Sequence, residues 1–450
     1  KIFYILNKMN KRIILYYLVA LSIILIGFMS IFLLYSERYN FLYSNEYSVY
    51  IPAVLNQSNN LSGEVTQFFL RISPGSGNVY ASIPPIPYDD YELAYLFAKI
   101  AACNIYPNKC NNYDYYFSSN DVLFAEGFSG TAGLTLLVLE SLSNKNTIVN
   151  YPITGFMLPN GIIAPVEGIR YKLSATLQYF PYMVAPYYNN SKIIPVYTIL
   201  DLEKIYFGEQ FNNTYNVPQD YIDVMKNITY QICSGINNST VNYYVSLGDY
   251  YTAASLCFEQ KVTSPEFYPN ITREELEKDI TDFYNYINNY QCFGNYECEE
   301  IKYQVISRLE NANETLNNLQ ESYWRYYSAI GWAQFLSITD NIYKENECSL
   351  IDQQYTLMQY LYQYQLPLNL SCFEKMDYLS NLYYFYIANS TNYISNDTIK
   401  SIEQLDYYYY NKYGFSITSY NYLQFGKDLI NMGHINSGLY YLILSTEYAI

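Results

Sequence analysis

The stretch "EGFSGTAGLTLLVLESL", Glu126 to Leu142, runs a small-residue turn straight into an apolar segment with helical spacing. Ser129 stands between Phe128 and Gly130, at the mouth of what reads as a buried helix. The first N–H groups of a helix have no intrahelical partner, so a side chain exposed on such a turn suits a nucleophile or an anion site. A capped core helix would explain the same residues without any function. A partner for the serine decides between the two readings.

Half of the 450 residues are apolar, enough for a substantial core and two or three domains. Acidic residues outnumber basic ones, 41 to 25, giving a net charge of −16. No Lys/Arg stripe exists for phosphate neutralisation, which excludes nucleic acid as a partner. Sixty tyrosines are spread over the whole chain and read as compositional bias, not as a stacking platform. The single histidine, His434 in "NMGHINSG", reads as a helix-turn residue. A Ser-His-Asp or Cys-His centre would need it, and zinc sites built on His pairs cannot exist. No phosphate-binding loop of the GxxxxGK[ST] type occurs. Hydrolytic chemistry in this chain therefore works without imidazole, a metal cage or ATP, and no cofactor is expected.

"IILYYLVALSIILIGFMSIFLLY", Ile13 to Tyr35, is an uncharged run of 23 residues. That is long enough to cross a ~30 Å hydrocarbon layer as one helix, and "YSERYN" behind it offers no signal-peptidase site. A retained membrane anchor is the expectation, with residues 1–12 as a basic cytoplasmic tail and 36–47 as a linker. Lys8, Lys11 and Arg12 precede the run, so the remainder is expected on the extracytoplasmic side of the cell membrane. Met9 is a candidate initiator, and the apolar character at Ile450 suggests that the natural chain continues. Twelve Asn-x-Ser/Thr sequons, none between Asn60 and Asn189, agree with an exterior location and a compact core in that interval. Eight cysteines are spaced as Cys103/Cys110, Cys292/Cys298 and two pairs 24 apart, Cys233/Cys257 and Cys348/Cys372. Local disulfides are favoured, although eight cysteines permit about 105 pairings.

From Ser48 to Pro195 the pattern is mixed. "SVYIPAVL", "VTQFFLRI", "NVYASI", "YDYYFS", "VLFAE" and "YMVAPYY" read as strands, "DDYELAYLFAKIAACNIY" and "YKLSATLQYF" as helices. "NYPITGFMLPNGIIAPVEG" reads as two strands about a Pro-Asn-Gly turn. Residues 196–450 are almost wholly helical in period and end in what reads as an antiparallel helix pair around Asn-Met-Gly.

Lys172, in "PVEGIRYKLSATL", is the partner. It falls in the first turns of an apolar helix, and burial penalises its ammonium form. A neutral amine can take the proton of a serine, with backbone N–H groups at Gly130 and the helix start steadying the oxyanion. The expected separation of Ser129 Oγ and the Lys172 amine is about 3 Å.

Residues 48–195 resemble the Lon-type protease domain, particularly its membrane-anchored archaeal relatives that lack the ATPase module. The resemblance rests on Gly127-Phe128-Ser129-Gly130-Thr131 at the nucleophile turn, then Thr154-Gly155, Asn160-Gly161, Pro165, Glu167-Gly168 and Lys172, with 43 positions between Ser129 and Lys172. It implies an α+β Lon-type proteolytic domain, here followed by an all-α helical domain (196–450) and preceded by one N-terminal transmembrane helix. It further implies Ser129 as nucleophile, Lys172 as general base, Thr154 as the group orienting the amine, polypeptide substrates and homo-oligomers. Departures occur at Phe128, where the family has proline, and at Thr131 and Glu167, where it has glycine. A carboxylate at Glu167 close to Lys172 would hold the amine protonated. A shifted alignment makes Thr131 the nucleophile. The resulting expectation is a membrane-anchored, ATP-independent serine endopeptidase. The alternatives are a catalytically silent protease-like scaffold and a surface-envelope structural glycoprotein.

Overall fold

The computed structural model describes residues 20–30, 46–57, 60–82, 89–119, 127–212, 214–388 and 394–450. Four strands form the main sheet in the order β1-β2-β4-β3: β1 Tyr47–Gln57, β2 Asn60–Pro74, β3 Val79–Ser82 and β4 Tyr113–Ser119. β1 and β2 are antiparallel with Tyr47 opposite Leu70 and Gln57 opposite Asn60, β2 and β4 are antiparallel, and β3 runs parallel to β4 at the edge. The polar run "NQSNNLSG" is mostly strand, because the hairpin pairing continues to Gln57 and Asn60 and takes those residues into the ladder.

Alternation gives the hairpin two covered faces. Val49 and Ile51 on β1, with Phe68 and Leu70 on β2, are buried. They receive α3 (Thr131–Ser143), which packs against α1 (Asp89–Ile105), itself followed by the short α2 (Pro107–Cys110). Gly133 permits the approach of α3, since a Cβ there would lie 2.7 Å from Ile51 Cγ1. On the opposite face Tyr50 meets Phe180 with ring centroids 4.9 Å apart, and Val54 meets Gly168 at the start of α4 (Ile169–Thr176). The β1–β2 hairpin is thus held between the helix that Ser129 opens and the helix that carries Lys172.

Two small sheets complete this region: the hairpin of β5 (Phe156–Met157) and β6 (Ile163–Ala164), and the parallel pair β7 (Met183–Ala185) and β8 (Ile193–Pro195). The "VLFAE" strand expectation falls outside the described residues.

The helices that follow are α5 (Ile199–Phe207), α6 (Gln219–Ile232), α7 (Ser239–Leu247), α8 (Tyr250–Thr263), α9 (Arg273–Asn288), α10 (Tyr296–Glu314), α11 (Leu319–Ala333), α12 (Cys348–Leu361), α13 (Cys372–Ala388), α14 (Asn396–Tyr413), α15 (Ile417–Asn431) and α16 (Ile435–Ala449). Their ends carry local signals. Thr272 and Glu275 form a reciprocal capping box on α9, and exposed His434 is the N-cap position of α16, a turn residue as its context suggested. The four disulfides are Cys103–Cys110, Cys233–Cys257, Cys292–Cys298 and Cys348–Cys372, the pairs that the spacing singled out. The sequon asparagines 189, 212, 227, 237, 270, 313, 369 and 396 are exposed, and Asn238 is half-buried.

Two features of the expected architecture are corrected. Among the described residues no helix is long and apolar enough to cross a membrane. Residues 20–30 are helical and exposed; the rest of the 13–35 run lies outside the described residues. The transmembrane helix, and membrane attachment through it, are therefore unsupported. Nor is the chain an α+β unit followed by a separately cored all-α domain. It is a mixed α/β structure, mostly helical, whose main hydrophobic core runs without a break from Val49 to Ile450. Tyr409 Oη donates to Asn160 O at 2.9 Å and Tyr413 Oη to Asn104 O at 2.8 Å, both in buried positions, so the helices complete the sheet region's interior.

Candidate functional site

Gly127, at φ 92°, turns the chain into a 3-10 turn over Phe128–Gly130 that leads into α3. This left-handed backbone suits glycine and sets Ser129, half-buried, on the turn. The segment 152–155 runs beside β1: Ile153 N–H donates to Tyr50 O, and Thr154 N–H donates to Val184 O on β7, both at 3.0 Å. Thr154 is thereby fixed, fully buried, between the sheet and the serine turn.

Three candidate residues meet there. Lys172 Nζ donates to Thr154 Oγ1 at 3.1 Å, and Thr154 Oγ1 donates to the Ser129 carbonyl at 3.0 Å. Gly155 N–H reaches the same carbonyl at 2.9 Å. Lys172 is only 2% exposed. Burial lowers its pKa from 10.5 to about 8, and the opposing influence of the Glu167 carboxylate is smaller. Glu167 itself is exposed and forms no ion pair with Lys172 among the described residues. The amine is therefore held mainly by a neutral hydroxyl. Its hydrogen bond goes to Thr154 and not to Ser129 Oγ, so the expected direct contact is replaced by a link through Thr154.

Gly130 and Thr131 have different parts. Gly130 backs onto Ile51 of β1, where a Cβ would sit 3.4 Å from Cγ2. Thr131 is fully buried. Its one hydroxyl proton is shared between Phe128 O (2.8 Å) and Gly155 O (3.2 Å), and its oxygen accepts from Met157 N–H (2.6 Å). That hydroxyl ties the turn to β5 and faces no open space. Thr131 N–H donates to Phe128 O, and Ala132 N–H to Gly155 O at 3.1 Å. Oxyanion donors at this turn must accordingly come from before Thr131.

Sequence reasoning missed what Phe128 does. Its ring stacks on Phe156 at 5.0 Å and 20°, and Phe97 lies 5.1 Å away. Phe156 in turn meets Tyr386 of α13 edge-on at 5.1 Å. Aromatic packing thus holds the turn and joins it to the helical region. Nothing in the spacing of these four residues along the chain announces the cluster.

Among the described residues no group of His, Cys, Asp or Glu is placed to hold a metal ion. No protein-family model matches the chain, and no curated protein is significantly similar to it.

Proposed function

We propose that the chain is a serine hydrolase, an ATP-independent endopeptidase in which Ser129 attacks the peptide carbonyl and Lys172 is the general base. The observation that carries this reading is a lysine amine withdrawn from water, in no ion pair among the described residues, and two hydrogen bonds from the serine turn. In the proposed reaction Ser129 Oγ bonds to the carbonyl carbon while its proton passes to the Lys172 amine. The resulting ammonium returns a proton to the departing amine, and water then hydrolyses the acyl ester with the same amine as base. Thr154 holds the amine until Ser129 Oγ turns toward it. The likeness of the turns around Ser129, Thr154 and Lys172 to those of Lon-type proteases supports the same assignment. Four disulfides and the exposed sequons support an oxidising, exterior compartment for the folded region.

A silent protease-like scaffold is the second reading, favoured by the Lys172–Thr154 hydrogen bond standing where a Ser129–Lys172 bond was expected. Fluorophosphonate labelling and casein turnover separate the two. The hydrolase labels at Ser129, loses label in Ser129→Ala and labels far more slowly in Lys172→Met. Equal labelling of wild type and Lys172→Met, or none in either, would leave the silent reading.

A further inference from the structure

A cavity of about 640 Å³ lies within the helical region, walled by α6, α8, α10, α11, α13, α15 and α16. Exposed Glu259, Asn311 and Asn381 stand at its rim, so it opens to solvent. Its wall includes the nearly buried rings of Trp332 and Tyr422. The volume is in the range of small-molecule sites, which pair a largely apolar wall with a few placed polar groups.

Arg308 is the placed group. Its guanidinium carbon lies 3.9 Å from the centre of the Trp332 ring. Nη1 donates to Gln304 O at 2.9 Å and to Gln304 Oε1 at 2.8 Å, and the guanidinium also hydrogen-bonds to the phenol oxygens of Tyr251 and Tyr422. Among the described residues Arg308 takes part in no ion pair. Two other charged groups at the cavity have close partners. Arg325 is held by Glu321 through two hydrogen bonds of 2.9 and 2.7 Å. Asp377 accepts from Tyr303 on one oxygen (2.7 Å) and from Tyr448 on the other (3.0 Å).

Arg308 is half-buried at this open cavity and has no carboxylate within ion-pair distance among the described residues; the charge of Asp377 on the same wall acts on it only from farther away. A planar guanidinium fork matches a carboxylate in two parallel hydrogen bonds. We propose that the cavity binds a monocarboxylate with an aromatic or branched apolar body, Arg308 taking the carboxylate and the Trp332–Tyr422 wall the apolar part. The site is separate from Ser129 and does not depend on the hydrolase reading.

The test uses the full chain with Ser129→Ala, so that no probe is turned over. The probes are N-acetyl-phenylalanine and its amide, and the pentapeptide Gly-Ser-Gly-Ser-Phe with a free or an amidated terminus. Calorimetry should find the acid bound and the amide at least about tenfold weaker, the loss of one charge-assisted contact. With Trp324→Phe added, Trp332 is the remaining tryptophan, and its emission should change with the acid only. Arg308→Gln should abolish binding. Ser255→Phe, which fills the cavity and keeps the charge, should do the same and covers the case in which Arg308→Gln does not fold. Binding of the free pentapeptide as well as the small acid would identify chain termini as the source, and binding of the small acid alone a free metabolite. Equal binding of acid and amide, no binding of either acid, or undiminished binding by Ser255→Phe would overturn the proposal.

Discussion

Lys172 in the sheet region and Lys344 in the helical region are both buried, and their surroundings answer them in opposite ways. Lys344 lies 3.4 Å from Glu300 Oε2, both side chains fully inaccessible, and it also donates to Tyr448 O. A carboxylate and a carbonyl make it a structural cation. Lys172 has a threonine hydroxyl and no ion pair among the described residues, and its ordinary protonation is weakened by burial. Withdrawal from water is common to the two lysines; the acceptor that faces the amine decides whether it holds the fold together or is free to exchange a proton.

The comparison breaks most readily at Lys172 itself. Lys172→Met should cut Ser129 acylation by on the order of 10³-fold, as removal of a general base does. The same variant should melt no lower than wild type, because it removes a charge that the fold buries without a counter-ion. Loss of both activity and stability would make Lys172 structural after all. Lys344→Met should do the reverse and destabilise by about 3–5 kcal/mol by stranding Glu300, which denaturant titration measures. Retained stability there would remove the contrast.

A smaller effect sharpens the role of Thr154. Thr154→Val deletes the hydroxyl that receives Lys172 and holds the Ser129 carbonyl, and should lower acylation roughly 10- to 100-fold, as loss of a hydrogen bond to a charged group would. Thr154→Ser restores the hydroxyl and should recover most of the rate. Equal rates in the valine and serine variants would reduce Thr154 to packing.

The smallest effect is in the pH dependence of stability, and its sign differs between regions. For Lys172 the folded pKa of about 8 is below the ordinary 10.5. Between those values the unfolded chain holds more protons, so this group's contribution rises with pH through that window and is lost as pH falls through about 8. Lys412, lowered to about 8 by burial, has the same sign. Asp406 and Glu447 in the helical region behave oppositely. Burial raises them to about 8 from 3.8 and 4.5, so their contribution is complete at acid pH and is lost as pH rises through about 8. Melting curves of wild type, Asp406→Asn and Lys172→Met from pH 4 to 10 should separate the branches. Asp406→Asn should flatten the loss below about 8, and Lys172→Met the rise above it. Parallel curves for all three proteins would contradict the assignment.

Local signals in the sequence were readable wherever short-range physics decides the outcome. The cysteine spacings match bridges that close short loops, the alternation of "SVYIPAVL" and "VTQFFLRI" matches the β1–β2 hairpin, and the acids opening "DDYELAYLFAKIAACNIY" match the start of α1. The meeting of Lys172 with Thr154 was implied only by the resemblance to the Lon-type turns, and the direct Ser129–Lys172 contact that the two turn-to-helix entries suggested is replaced by it. Long-range packing was not readable. The Phe128–Phe156–Tyr386 contacts join residues far apart in the chain, and the continuous core across Val196 depends on Tyr409 and Tyr413, which look like any of sixty tyrosines. The anchor expectation is unsupported because, among the described residues, no helix is long and apolar enough to cross a membrane, and the rest of the apolar run lies outside them.

The most direct measurement is the rate of Ser129 acylation as a function of pH in wild type and Lys172→Met. The account predicts a rate that rises through a single inflection near 8, where Lys172 sheds its proton, and a far slower rate without that inflection in the variant. A wild-type profile with no inflection in that range, or one that survives the substitution, would contradict the claim that Lys172 is the base.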